Sequence, residues 1–145
     1  MTDSNPTPSV DCFSFNSEQL AQKLLAASLN GVYVFDVAAG RHVFVNPQYT
    51  ALTGYAQDDL DAMEENDFFA LFHPDDMPSV RGHIAEIVNR ETAGMEIEYR
   101  FKAKDGRWIW CLSRDSVFEH GPDGRPNRIP GMFIDASQRK RIEEA

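Results

Sequence analysis

Apolar and polar positions change period along this chain, and each change marks an element. From Asn16 to Leu29 the apolar residues Leu20, Leu24 and Ala27 fall on one helical face, widened by Leu25 and Leu29. Asn16 with Gln19, or Ser17 alone, supplies the cap, and Asn30-Gly31 the stop. "VYVFDV" and "HVFVN" follow, rich in β-branched and aromatic residues and separated by "AAGR"; they predict a hairpin. In "NPQYTALTGY", Asn46 suits an N-cap, Pro47 the first helical position and Gly54 the C-terminal cap. "AQDDLDAMEENDFFALF" predicts one or two short helical turns with a solvated acidic face.

The longest helix is predicted in "HPDDMPSVRGHIAEIVNRE". Asp75 or Asp76 is its cap, Pro78 falls in its first turn, and Met77, Val80, Ile84, Ile87 and Val88 form its apolar stripe. "MEIEYRFKA" then alternates without a break. Met95, Ile97, Tyr99, Phe101 and Ala103 share one face; Glu96, Glu98, Arg100 and Lys102 share the other. Asp105-Gly106 turns the chain, and "RWIWCLSRDSVF" returns antiparallel. "NRIPGMFID" is the last strand, where Pro130 predicts an edge position, a bulge or a late start. Strands in two groups around a block of helices indicate an α+β fold with an antiparallel sheet.

Composition narrows the function. A length of 145 residues fits one domain. The formal charge of -9 disfavours nucleic acid and anionic membrane surfaces, which require clustered Lys and Arg. No apolar run reaches the ~20 residues of a membrane span, and the polar start "MTDSNPTPSV" has no signal-peptide pattern. Cys12 and Cys111 stand far apart and form no CxxC pair, so neither a disulfide framework nor a zinc site is indicated. A cytoplasmic setting is the default. No GxSxG, HExxH or phosphate-loop pattern occurs, so catalysis by this segment is not expected.

"GVYVFD", "VNPQYTALTGY", "LFHPDD", "EIEYRFKAKDGRWIW" and "GMFIDASQRKRIEEA" occur in the order of a PAS sensory domain. Over roughly residues 18 to 145 the chain resembles that family, in the subtype with a PAC-type C-terminal half. The resemblance implies a PAS fold: a five-stranded antiparallel sheet flanked by short helices and one longer helix, with an N-terminal cap helix and a C-terminal signalling helix. The expected organisation is a disordered lead-in over residues 1–13, the PAS domain over 14–136, and the start of a connecting helix over 137–145.

The implied function is sensory or regulatory, in a bacterial transducer such as a histidine kinase or a cyclic-dinucleotide enzyme, with the output domain in the same chain. The family commonly ends its last strand in an Asp-Ile-Thr triplet; here it reads Asp135-Ala136-Ser137, and Asp135 with Ser137 are the expected signal relay. "QRKRIEEA" pairs Arg139 with Glu143 and Lys140 with Glu144 at i, i+4. So short a helix is marginal without a continuation, which suggests a fragment of a longer protein.

Candidate ligand-pocket residues are Phe35, Tyr49, Met77, Ile84, Ile97, Tyr99, Phe101, Cys111, Ser113 and Met132; the bland alternative is that they fill a packed core. Flavin light sensors of this superfamily carry an Asn-Cys-Arg motif. No Cys lies between Cys12 and Cys111, so flavin adduct chemistry is not expected. Haem-binding members present a His from the long helix. His83 is the residue available, but at 100° per residue it falls at the margin of the stripe, which reads as a flank or surface position. His73 is read as a loop residue, and His42 and His120, beside turns, as solvated. Leu20, Leu24, Trp108 and Trp110 are candidate contacts of a homodimer. A ligand-free dimerisation module and a haem-binding gas or redox sensor stand as the alternatives.

Overall fold

The computed structural model describes residues 16–92, 94–117 and 119–144. The sequence reading of residues 1–13 as a lead-in, and Cys12 with it, lies outside them. The side chain of Glu144, and with it the Lys140–Glu144 pair, lies outside them too.

Helix α1 spans Ser17–Ala27, capped by Asn16, whose Oδ1 accepts from the amide of Glu18 at 2.8 Å. It stops at Ser28, two residues before the predicted Asn30-Gly31 signal, because Ser28 turns extended. The hairpin β1 (Gly31–Asp36) and β2 (Arg41–Val45) follows. Three short helices come next: α2 (Pro47–Thr53), α3 (Gln57–Asp61) and α4 (Glu65–Phe69). Gly54 closes α2 at φ 84°, a left-handed value that a residue without Cβ adopts at no steric cost.

A 3-10 turn over Pro74–Asp76 leads into the long helix α5 (Met77–Arg90). Asp76 sits at its N-cap position but gives it no side-chain cap; the carboxylate turns away to take the amide, Nε and Nη2 of Arg100. That bidentate pair fastens the helix entrance to the sheet. Strands β3 (Met95–Lys102), β4 (Trp108–Asp115), β5 (Glu119–His120) and β6 (Pro126–Asp135) complete the sheet, and α6 (Ser137–Glu144) leaves it.

The strands form one antiparallel sheet in the order β2-β1-β6-β4-β3, with the two-residue β5 added beside β6. The sheet therefore has six strands, one short strand more than the sequence predicted. The last long strand is central, not an edge. Its Pro130 is tolerated because β4 pairing ends at Gly131 opposite Asp115; beyond that point the Pro130 carbonyl accepts from Ser116. The missing N–H falls where one partner strand gives way to the next.

Helices α2 to α5 cover one sheet face. Between them lies the core: Leu60, Phe68, Ile87, Ile109 and Tyr49 are almost completely buried, among Phe35, Phe72, Phe101 and Phe133. Burying one such side chain contributes about 1.5–3 kcal/mol, so the sheet and the helix layer stabilise each other. The opposite face carries Trp108, Met132 and Ile134, each exposed by roughly two-fifths.

Candidate functional site

The inward phase of three adjacent strands sets up the site. Tyr33 of β1 lies opposite Gly131 of β6, and Gly131 lies opposite Asp115 of β4. With no side chain at the middle position, the Tyr33 hydroxyl reaches over β6 and donates to Asp115 Oδ1. A Cβ on Gly131 would stand 1.8 Å from that oxygen and 2.5 Å from the Tyr33 ring, so glycine is a steric requirement here. From the helix layer, His83 Nε2 of α5 donates to Asp115 Oδ2 at 2.6 Å. One carboxylate thus ties two sheet strands to the long helix, and all three side chains are buried. Burial, and then the charge of Asp115, push the Tyr33 hydroxyl well above its ordinary pKa. It stays protonated and remains a donor.

Beside this chain lies a cavity of about 40 Å³ between α5 and the sheet. Its walls are mostly aromatic and aliphatic, Phe35, Phe68, Phe72 and Ile87 among them, with Tyr33, His42, His83, Tyr99 and Asp115 as polar or partly polar lining. An outer cleft of about 340 Å³, bordered by Arg81 and Glu65, shares Phe35, Phe69 and Ile84 with it. Those three side chains form the partition between cavity and surface. The Arg81 guanidinium lies over the Phe69 ring at 4.9 Å.

His42 stacks on Tyr33 with ring centroids 4.2 Å apart, and its Nδ1 lies 2.8 Å from the Tyr49 hydroxyl. Burial alone lowers its pKa to about 3, so the ring is neutral at ordinary pH. Burial likewise raises the pKa of Tyr49, Tyr99 and Cys111 above their ordinary values, keeping all three neutral. The Tyr99 hydroxyl and Ser113 Oγ pair at 2.6 Å.

The sequence-derived candidates divide on this geometry. Phe35, Ile84, Ile97 and Tyr99 line the cavity. Tyr49, Phe101 and Cys111 lie deeper in the core, around a void with no room for a water. Ser113 is buried as Tyr99's partner, and Met77 is half-buried against the core. Met132 is a correction: it points to the opposite sheet face and is 46% exposed, because the inward phase of β6 runs through Ile129, Gly131 and Phe133.

Two histidine readings are also corrected. His42 is buried, not solvated. Val43 is an extra residue in the β1–β2 ladder, since Val34 faces Phe44 while Phe35 faces His42. That bulge reverses the strand's phase and turns His42 inward. His83 is buried, not on the flank. The fully buried residues of α5 are Val80, His83 and Ile87, while Met77, Ile84 and Val88 are only partly covered. Two signals pointed there: the i, i+3, i+7 spacing of Val80, His83 and Ile87, and an acid, Asp115, on the inward phase set by Cys111 and Ser113. His120 is exposed and pairs with Glu91; His73 is half-buried and accepts from the Asp75 amide. A haem does not fit: the His83 Nε2 is held by Asp115, and a 40 Å³ cavity is far too small.

The strand-to-helix exit is well fastened. Asp135 Oδ1 accepts from the Ser137 amide at 2.8 Å, and Ser137 Oγ accepts from the Trp110 amide at 3.1 Å. Ala136, in the place between them, is buried and donates its amide to the Trp110 carbonyl. In α6, Arg139 and Lys140 both pair with Glu98 of β3, and Lys140 lies 4.7 Å over the Trp110 ring. Trp110 therefore lies under α6. Leu20 and Leu24 of α1 are 39% and 64% exposed, and α1 buries none of its residues.

A family model described as the PAS fold matches residues 42–133. Hybrid signal transduction histidine kinase A of Dictyostelium discoideum is 32% identical over 75 residues, 50% of this chain and 4% of that protein. The chain thus spans a small fraction of that relative. Among solved structures, the sensory box histidine kinase/response regulator of Burkholderia thailandensis matches with a TM-score of 0.66 at 22% identity, covering 86% of this chain and 89% of that one. The PAS domain of a Colwellia psychrerythraea protein matches with a TM-score of 0.69 at 20% identity, covering 86% and 100%.

Proposed function

The chain belongs to the PAS-fold family, whose domains are sensory and not catalytic, and from that premise we propose that it senses a small molecule in the cavity between α5 and the sheet. The signal then passes through β6 and α6 to an output domain in the same chain. One observation carries this reading. The buried chain Tyr33–Asp115–His83 sits on the wall of an otherwise apolar cavity and joins the long helix to the sheet. Polar groups buried in a plain core cost stability unless every one is paired. Here they couple two layers beside a cavity whose occupant can push them apart. A ligand shifts such an equilibrium only by its differential affinity for the two arrangements.

A histidine kinase as the output partner is supported by the likeness to the Dictyostelium and Burkholderia proteins. The relay is Asp135–Ser137, which locks the last strand to the first turn of α6. Among the described residues, no helix is long and apolar enough to cross a membrane, and a cytoplasmic setting is part of the proposal. Native mass spectrometry of freshly purified protein tests the ligand: a bound species that His83→Ala releases supports the reading, and an empty protein under all growth conditions refutes it. In the longer protein, Asp135→Ala should uncouple output and leave the fold intact; unchanged signalling counts against the relay.

A second reading has its own observation. The apolar stripe of α1 is exposed at Leu20 and Leu24, as expected of a helix that pairs with a second copy and holds two chains in register.

A further inference from the structure

The hydrogen-bond inventory around His42 and Tyr49 defines what the cavity can accept. Tyr49 is 1% exposed, and among the described residues the only partner of its hydroxyl is His42 Nδ1. Two arrangements are possible: the phenol donates to Nδ1, or Nδ1–H donates to the phenol oxygen. The second would leave the phenol proton without an acceptor beside a void that holds no water. The first leaves the open donor on the imidazole of a residue that borders the cavity, where a water or a ligand can take it, whereas a donor sealed against the dry void keeps its full cost of about 1–3 kcal/mol, so the phenol donates. The neutral imidazole then carries its proton on Nε2. That N–H has no partner among the described residues, on a residue 5% exposed that lines the cavity.

The rest of the lining sets the remaining chemistry. Asp115 is the one carboxylate in the wall; its donors are His83 and Tyr33, and it disfavours an anion beside it. The other walls are largely aromatic and aliphatic. At about 10–15 Å³ per water, the space corresponds to a few water-sized particles, so a ligand must be compact. Phe35, Phe69 and Ile84, the partition towards the outer cleft, are the side chains an entering ligand displaces. We propose that the cavity selects a small, uncharged, largely apolar molecule carrying one hydrogen-bond acceptor, and that the His42 Nε2–H reads that acceptor. This rests on the cavity being a ligand site and adds the class of ligand.

A matched set of probes tests it: acetone, 2-methylpropene, in which CH₂ replaces the carbonyl oxygen, and acetate. Binding is followed by two-dimensional NMR of the protein. The expected result is that the ketone binds about tenfold tighter than the hydrocarbon and tighter than the acid. His42→Phe keeps the stack on Tyr33; in it the ketone and hydrocarbon should bind alike. Equal binding of the two to the wild-type protein, or of ketone and acid, overturns the assignment while leaving the cavity a ligand site. Failure of every probe to bind overturns both. Nitrogen-15 NMR of the histidines gives a second readout that needs no variant. A proton on His42 Nε2, shifting when the ketone is added, supports the proposal, and a proton on Nδ1 refutes it.

Discussion

At the scale of single residues, two positions set the site. Gly131 is required because the Tyr33 hydroxyl and the Asp115 carboxylate meet over it. Gly131→Ala forces them apart, and overpacking of this kind costs about 1–3 kcal/mol; urea denaturation should show a loss of at least that size. His42 sets a pH dependence. Its pKa is about 3 in the folded chain, below the ordinary 6.5. Below pH 6.5 the unfolded chain takes up a proton that the folded chain refuses, so stability is lost as pH falls. The slope approaches about 1.4 kcal/mol per pH unit and ends near pH 3, where the folded ring also protonates. His42→Phe should flatten this contribution to the stability–pH curve between pH 6.5 and 4. An unchanged slope would mean that His42 is not a buried neutral group.

At the scale of elements, Asn46 does more than cap α2. Its Oδ1 accepts from the amides of Tyr49 and Val32, and its Nδ2 donates to the carbonyls of Leu25 and Asn30. One buried side chain therefore joins the end of α1, the start of β1 and the start of α2. A cap residue alone is worth about 1 kcal/mol. Asn46→Ala should cost about 3 kcal/mol, because amides and carbonyls on three segments lose their partner. The loss should be accompanied by faster proteolysis within α1, which has few other attachments; a cost near 1 kcal/mol with α1 still protected would reduce Asn46 to a local cap. The exit helix α6 is held by Glu98 and Trp110 on the outer face of β3 and β4. That link joins the sheet to α6 independently of Asp135.

At the scale of the whole molecule, the sheet is covered on one face and largely bare on the other. Leu20 and Leu24 on α1, and Leu29 just beyond it, add apolar surface, and uncovered surface of this kind marks interaction sites. If α1 carries the dimer contact, Leu20→Ser with Leu24→Ser should give a folded monomer by light scattering. Their exposure already indicates that neither holds up the core of one chain. A double variant that stays dimeric would place the contact elsewhere.

The sequence by itself determined the elements and their order. Period, cap and turn chemistry are local, and Asn46, Pro47, Gly54, Asp105-Gly106 and the unbroken alternation of β3 each act within a few residues. It also determined the family, through motifs in a fixed order. Tertiary structure alone decided the site. A one-residue bulge at Val43 turned His42 inward, and Asp115 drew His83 into the core against the wider apolar stripe of its helix. It likewise placed β6 at the centre of the sheet and turned Met132 to the outer face. The partners of His83 and of β6 lie tens of residues away, and the bulge shows only in how β2 pairs with β1. No local pattern encodes which strand lies beside which, or which buried acid a histidine meets across a packed interface.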